Sequence, residues 1–290
     1  MGKRRGRGAE GRRVRREKVR DVFVGRPFEG MPSETEWVAL RELVPAATAP
    51  VRLADPAHAD RAVIVTSVLP LANPALVKPD GRIFLAVQCQ ARSGDLSRDL
   101  AAALELALVA GPTSYVPVTD LPGPGPRLQD LLVDDALDLT LHPTFGFWLD
   151  DEPHADPEVA ASLERANSTI LPTARLTAAP SAYWCRTPEK AHLRWVLPQD
   201  EDTALDAVAR LYAAGEIGLG EGTRYVGAFR AHGLLVPVWD LPREPAPDAY
   251  EDALAVLASR YADALAETGP LTPAERRVRD GLRGRQLTLR

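Results

Sequence analysis

Tyr115-Val-Pro-Val-Thr-Asp-Leu-Pro122 returns later in the chain as Leu235-Val-Pro-Val-Trp-Asp-Leu-Pro242, with six of the eight positions identical. Valine and aromatic residues favour a pleated, half-buried strand, and the prolines punctuate it. Weaker echoes occur in the same order. Leu43-Val-Pro45 precedes Ile170-Leu-Pro172, Arg52-Leu53 precedes Arg175-Leu176, and Val68-Leu-Pro70 precedes Val196-Leu-Pro198. This order predicts a duplicated unit, with the strands at 115–119 and 235–239 in equivalent places.

Each copy of the phrase is preceded by a helical pattern. Leu96, Leu100, Ala103, Leu104 and Ala107 form one apolar stripe, and Gly111-Pro112 ends it. A second helix from Glu201 to Ala214 turns Leu205, Val208, Leu211 and Tyr212 inward. Strands are expected at 62–69 and 83–90, as an antiparallel pair joined through the turn residues Pro79-Asp-Gly81. In the second unit they are expected at 173–176, 182–186, 192–196, 225–231 and 234–239, the last two joined by a tight turn at His232-Gly233. Ser33-Glu-Thr-Glu36 and Thr272-Pro-Ala-Glu275 both read as capping boxes that open helices. Asp156-Pro157 opens another helix, and Tyr250, Leu254, Leu257, Tyr261 and Leu265 mark a long one after the second unit.

The fold class is therefore α+β: two related units with mostly antiparallel sheets, plus C-terminal helices. Residues 1–22 read as a disordered basic tail, 23–126 as the first unit and 127–167 as a connecting segment. Residues 168–243 form the second unit and 244–290 the C-terminal helices.

Charge is sorted along the chain. Residues 1–20 hold ten Lys or Arg and two Glu, and residues 276–290 hold six Arg and one Asp. The remaining residues hold 19 basic and 37 acidic side chains, so an acidic body carries two basic ends. The tail cations are Lys3, Arg4, Arg5, Arg7, Arg12, Arg13, Arg15, Arg16, Lys18 and Arg20. A cluster this dense attracts nucleic acid by releasing condensed counterions, without reading sequence. Nucleic acid or the ribosome is the expected partner. No apolar run is long enough to span a bilayer, and no signal peptide follows the basic start, so a soluble cytoplasmic protein without a membrane partner is expected. Cys89 and Cys185 are isolated, which suits a reducing compartment.

Six further phrases carry a resemblance. WVALRELVPAATA (37–49), SLERANSTILPTARL (162–176), AYWCR (182–186), HLRWVLP (192–198), RYVGAFRAHGLLVPVWDLP (224–242) and the terminal RQLTLR resemble an actinobacterial family, domain of unknown function 5926. The likeness runs from about Phe23 to Arg290. It implies a cytoplasmic protein of a high-GC bacterium and brings no activity, cofactor or catalytic residue with it.

Motifs for chemistry are sparse. His58, His142, His154, His192 and His232 show no ligand spacing, so no metal is expected. The alternating glycines Gly218, Gly220 and Gly222 contain Glu221, which would repel a phosphate. Trp148, Trp184, Trp195 and Trp239 suit core packing better than base stacking. Arg224 and Arg230 are six apart, so an undistorted strand puts them on one face, with Asp240 on the neighbouring strand as a candidate anion-binding cluster. The leading functional reading is a non-enzymatic binding or adaptor protein whose tail contacts nucleic acid or another polyanion, with no cofactor. The alternatives are an enzyme or sensor for a small anionic ligand between the units, and a scaffold recruiting acidic proteins.

Overall fold

The computed structural model describes residues 23–117, 121–149, 156–285 and 288–289. The first unit contains α1 (Glu34–Glu42), β1 (Ala47–Val51), β2 (Val63–Thr66), β3 (Ala75–Val77), β4 (Ile83–Ala86), α2 (Leu96–Val109) and β5 (Ser114–Val116). α3 (Leu128–Leu131), β6 (Thr140–Leu141) and α4 (Pro157–Asn167) lead to the second unit. That unit contains β7 (Thr173–Leu176), β8 (Ala182–Arg186), β9 (Ala191–Trp195), α5 (Glu201–Ala213), β10 (Arg224–Ala231) and β11 (Leu234–Leu241). α6 (Glu251–Ala266), α7 (Pro273–Arg285) and β12 (Thr288–Leu289) complete the chain. The α+β class with two mostly antiparallel sheets and C-terminal helices is what the sequence predicts.

The sheets run β5-β3-β4-β2-β1-β6 and β12-β10-β11-β9-β8-β7. The β2–β4 and β10–β12 pairs are parallel. This corrects the expected antiparallel pairing across 62–90. The Pro79-Asp-Gly81 turn joins β3 to β4 instead, with the Gly81 amide bonded to the Lys78 carbonyl. One extra strand between β2 and β4 reverses the chain twice, so β2 and β4 end up parallel.

The repeated phrase has no counterpart in strand order. β5 is an edge strand paired with β3 alone, whereas β11 lies inside its sheet between β10 and β9. The expected equivalence of 115–119 and 235–239 is therefore corrected for the part of the first copy that is described; residues 118–120 lie outside the described residues. Of the first copy, Tyr115 and Val116 belong to β5, whereas Leu235 to Leu241 of the second copy all belong to β11. Only the second copy gains a hairpin partner. His232 and Gly233, at φ 47° and 83°, form the two-residue left-handed loop that matches the twist of β10 and β11.

Alternation of side chains gives the second sheet two covered faces. Leu235, Trp239 and Leu241 of β11 join Trp184, Leu193 and Trp195 in a core against α5 and α6, where Leu205, Val208, Leu254 and Leu257 are buried. The three tryptophans are thus core residues, and Trp239 Nε1 donates to the Ile217 carbonyl at 2.7 Å. On the other face, Leu234, Val236, Tyr183 and Val196 share a single core with Phe28, Trp37, Leu40, β2, β4 and α2 of the first unit. Each fully buried Leu, Val or Phe contributes about 1.5–3 kcal/mol, so this shared core binds the units into one body. Trp148 covers the far side of the first sheet beside Phe84 and Leu76, with its Nε1 donating to the Val68 carbonyl at 2.9 Å.

The capping boxes part ways. Thr272 and Glu275 bond reciprocally, as predicted. At α1, Ser33 is left-handed (φ 55°) and makes no cap; its Oγ accepts from the Leu137 amide at 3.2 Å. Glu36 turns away from its own helix and into the second sheet.

Candidate functional site

The structure keeps Arg224 with Asp240 and separates Arg230 from them, so the three residues nominated for an anion site do not form one cluster. β10 carries a bulge between Tyr225 and Gly227, which leaves Val226 as the extra residue. Arg224 stands opposite Asp240, but past the bulge Arg230 stands opposite Leu235. Since Leu235 and Asp240 are an odd number of residues apart on β11, Arg224 and Arg230 lie on opposite faces of the sheet. The shared face predicted from their spacing is corrected on this ground. Arg230 pairs with Glu201 at the start of α5, through its Nη2 and Oε1.

Asp240 gathers a different set. Lys190 Nζ donates to its Oδ2 at 2.6 Å and Arg224 Nη2 to the same oxygen at 3.0 Å. His192, its partner across β9–β11, places Nδ1 3.1 Å from Oδ1. Burial alone would raise the Asp240 pKa, but the Lys190 and Arg224 hydrogen bonds outweigh it and hold the carboxyl below its ordinary range. His192 is pushed below 6.5 by burial and by the nearby Arg194 charge, more than Asp240 raises it, so it is neutral at pH 7. Cys185 stands opposite His192 on β8; burial raises its thiol against the pull of Arg194. The sequence carries a signal for this cluster: Lys190, just before β9, alternates with His192 and Arg194 within it, and period two places them on one face. Chemically the arrangement is a satisfied carboxylate with a positive rim. Among the described residues, no group of three or more His, Cys, Asp and Glu side chains is placed to hold a metal ion.

The second polar centre was not nominated as a site. Glu36 is 4% exposed and is held entirely by the second unit. Tyr183 Oη donates to its Oε2, Ser181 Oγ donates to Oε1 at 2.9 Å, and Arg175 Nη2 lies 3.1 Å from Oε1. A hydroxyl donates once, so the Thr35 hydroxyl, 2.7 Å from Ser181 Oγ, is the donor in that contact. Burial and the Glu36 charge raise the Tyr183 phenol well above its usual range. Glu36 was read as a helix cap because its spacing from Ser33 fits one. Only the tertiary approach of β8 reveals its partners.

The basic ends differ. In α7, Arg279 Nε lies 2.6 Å from Asp206 Oδ1 and its Nη2 3.1 Å from Asp202 Oδ1, and Arg283 pairs with Asp202 as well. The ten tail cations lie outside the described residues. No described helix is long and apolar enough to cross a membrane.

Nothing among curated proteins and nothing among solved structures matches the chain. A family model matches residues 27–290, nearly the whole length, and the chain belongs to the family of unknown function DUF5926.

Proposed function

We propose that this is a cytoplasmic binding or adaptor protein whose basic N-terminal arm contacts nucleic acid, free or in the ribosome, or another polyanion. One observation carries the reading: the fate of the two basic ends. The C-terminal arginines Arg279 and Arg283 already face carboxylates of α5, so part of that charge is neutralised within the fold. Residues 1–20 hold eight surplus positive charges on an otherwise acidic chain. A strand of phosphates is repelled by the body and attracted by the arm, which favours contact there with little demand on sequence. Binding rather than catalysis is supported by the Asp240 cluster, where Lys190 and Arg224 already satisfy the carboxylate. The free, buried Cys89 and Cys185 suit a reducing compartment.

The test is nucleic-acid binding by the full chain and by a full-length variant with all ten basic residues of 1–20 replaced by Gln. The native protein should bind RNA and duplex DNA alike, and the variant should lose that binding. Equal affinity of the two would place the contact surface on the body and overturn the reading.

A further inference from the structure

A cavity of about 690 Å³ lies between β10, α5 and α7, and none of the residues of the two polar centres described above lines it. Its size is in the range that holds small organic ligands, about 300–1,000 Å³. Four features of its wall need an occupant to make sense together. First, Ala274, Val278 and Leu282, four residues apart, are the apolar residues of α7, and all three line the cavity. The helix thus directs its apolar stripe at a space rather than wholly at packed core. Second, Tyr225 lines the cavity, and its hydroxyl is shielded from solvent yet has no hydrogen-bond partner among the described residues. Buried phenol groups nearly always find a partner, so this one is a donor in waiting. Third, Arg277 lines the cavity and has no ion-pair or hydrogen-bond partner among the described residues, unlike Arg276, Arg279 and Arg283 on the same helix. Fourth, the β10 bulge forms part of the wall, with Gly227 at φ +130°, a conformation side chains rarely adopt. Bulges of this kind concentrate at sheet edges and beside binding sites.

We infer that this cavity is a binding site for a small organic acid with an apolar, ring-sized body. The body would lie against Val226, Phe229, Val278 and Leu282. The Arg277 guanidinium would receive the anionic group, since it is a charged donor with its fork unused. The Tyr225 hydroxyl would donate to a second acceptor on the ligand. Burial, with Tyr212 close by, raises the Tyr225 phenol above its usual range, so it stays a protonated donor at neutral pH. The site does not involve the N-terminal arm, so the two proposals stand or fall separately.

The experiment titrates the full chain with anilinonaphthalene sulfonate, an aromatic anion whose fluorescence rises in apolar surroundings, and with the neutral phenylnaphthylamine, which lacks the sulfonate. The native protein should bind the anion saturably at one site per chain and prefer it to the neutral compound. Arg277→Gln removes an exposed side chain with no partner among the described residues, and should weaken the anion about tenfold while leaving the neutral compound unchanged. Tyr225→Phe removes only the hydroxyl and should weaken it roughly fivefold. Val278→Trp should fill the space and abolish binding, while the distant Arg165→Gln should bind as the native protein does. Absence of saturable binding by the native chain overturns the inference, as does an affinity that Arg277→Gln leaves unchanged. Sedimentation of the native chain as a dimer that Val278→Trp converts to a monomer also overturns it, because the face would then be an interface between copies.

Discussion

Tyr183, in the middle of the second sheet, donates its hydroxyl to Glu36, a carboxylate on the first helix of the other unit. Both are buried, at 1% and 4% exposure. The bond therefore ties the two units across the shared core, with Arg175 as the countercharge. A buried carboxylate is costly unless every oxygen is served, and here both are. Tyr183→Phe should destabilise the protein by about 1.5–3 kcal/mol, the usual value of a hydrogen bond to a charged group. Glu36→Ala strands Tyr183 and Ser181 together and should cost about 3 kcal/mol or more. Urea unfolding checks both. Because the second sheet holds the shared core, with Trp37, on one face and Trp239 on the other, Trp37 in the first unit and Trp239 in the second should report one coincident transition. Two separated transitions would show that the units fold independently.

The bulge on β10 gives a second prediction. Gly227 at φ +130° has open space around it, so any penalty for a side chain comes from the backbone alone. Gly227→Ala should cost roughly 1–3 kcal/mol. Gly218→Ala, also in open space but without a positive φ, should stay within about 0.5 kcal/mol of native. Thermal unfolding of the two variants makes the comparison; equal melting temperatures would remove the bulge from the account.

Acid should weaken the fold, and the sign follows from the groups themselves. His192 and His142 are held below 6.5 in the folded chain, chiefly by burial, so the unfolded chain binds their protons first. Stability is then lost as pH falls from about 6.5 through the lower folded values. Asp240, held below its ordinary 3.8, contributes stability above that value and loses it as pH falls further, through the folded pKa. Melting temperature should therefore decline from pH 7 to pH 5, and His192→Gln with His142→Gln should flatten that decline. A double variant with the native slope would assign the pH dependence elsewhere.

The ion pairs between α5 and α7 give a further prediction, which rests on the proposed polyanion contact. Asp202→Asn with Asp206→Asn releases Arg279 and Arg283 from their carboxylates. Exposed pairs contribute little, about 0–1 kcal/mol each, so the fold should persist. Affinity for duplex DNA should rise, because two freed cations join the arm and two repelling charges are gone. An unchanged affinity would mean that α7 lies too far from the bound polyanion to contribute.

How much of this was legible in the sequence depended on how local the signal was. α2 and α5 lie within a residue of their expected ends, because an apolar stripe and Asp caps are written in consecutive residues. The β10–β11 hairpin was legible from His232-Gly233 for the same reason. β1, which contains Pro50, and the three-residue β3 were missed; neither carries enough β-branched residues to stand out. Strand order was not legible: the first copy of the phrase begins in an edge strand, through Tyr115 and Val116, whereas the second lies inside its sheet. The Arg224 and Arg230 faces failed on one unannounced residue, Val226, which inverts every side chain beyond it. Glu36 was visible but assigned to its own helix, because its true partners lie about 145 residues away.

Contact through the N-terminal arm should show in the salt dependence of binding. The observed binding constant for duplex DNA should be measured against salt concentration for the native chain and for the variant with ten arm residues changed to Gln. Each phosphate neutralised adds about 0.9 to the negative slope of log K against log salt on duplex DNA. The native slope should be steep and should nearly vanish in the variant. A slope that stays the same in both would show that the arm does not carry the contact, and would contradict the account.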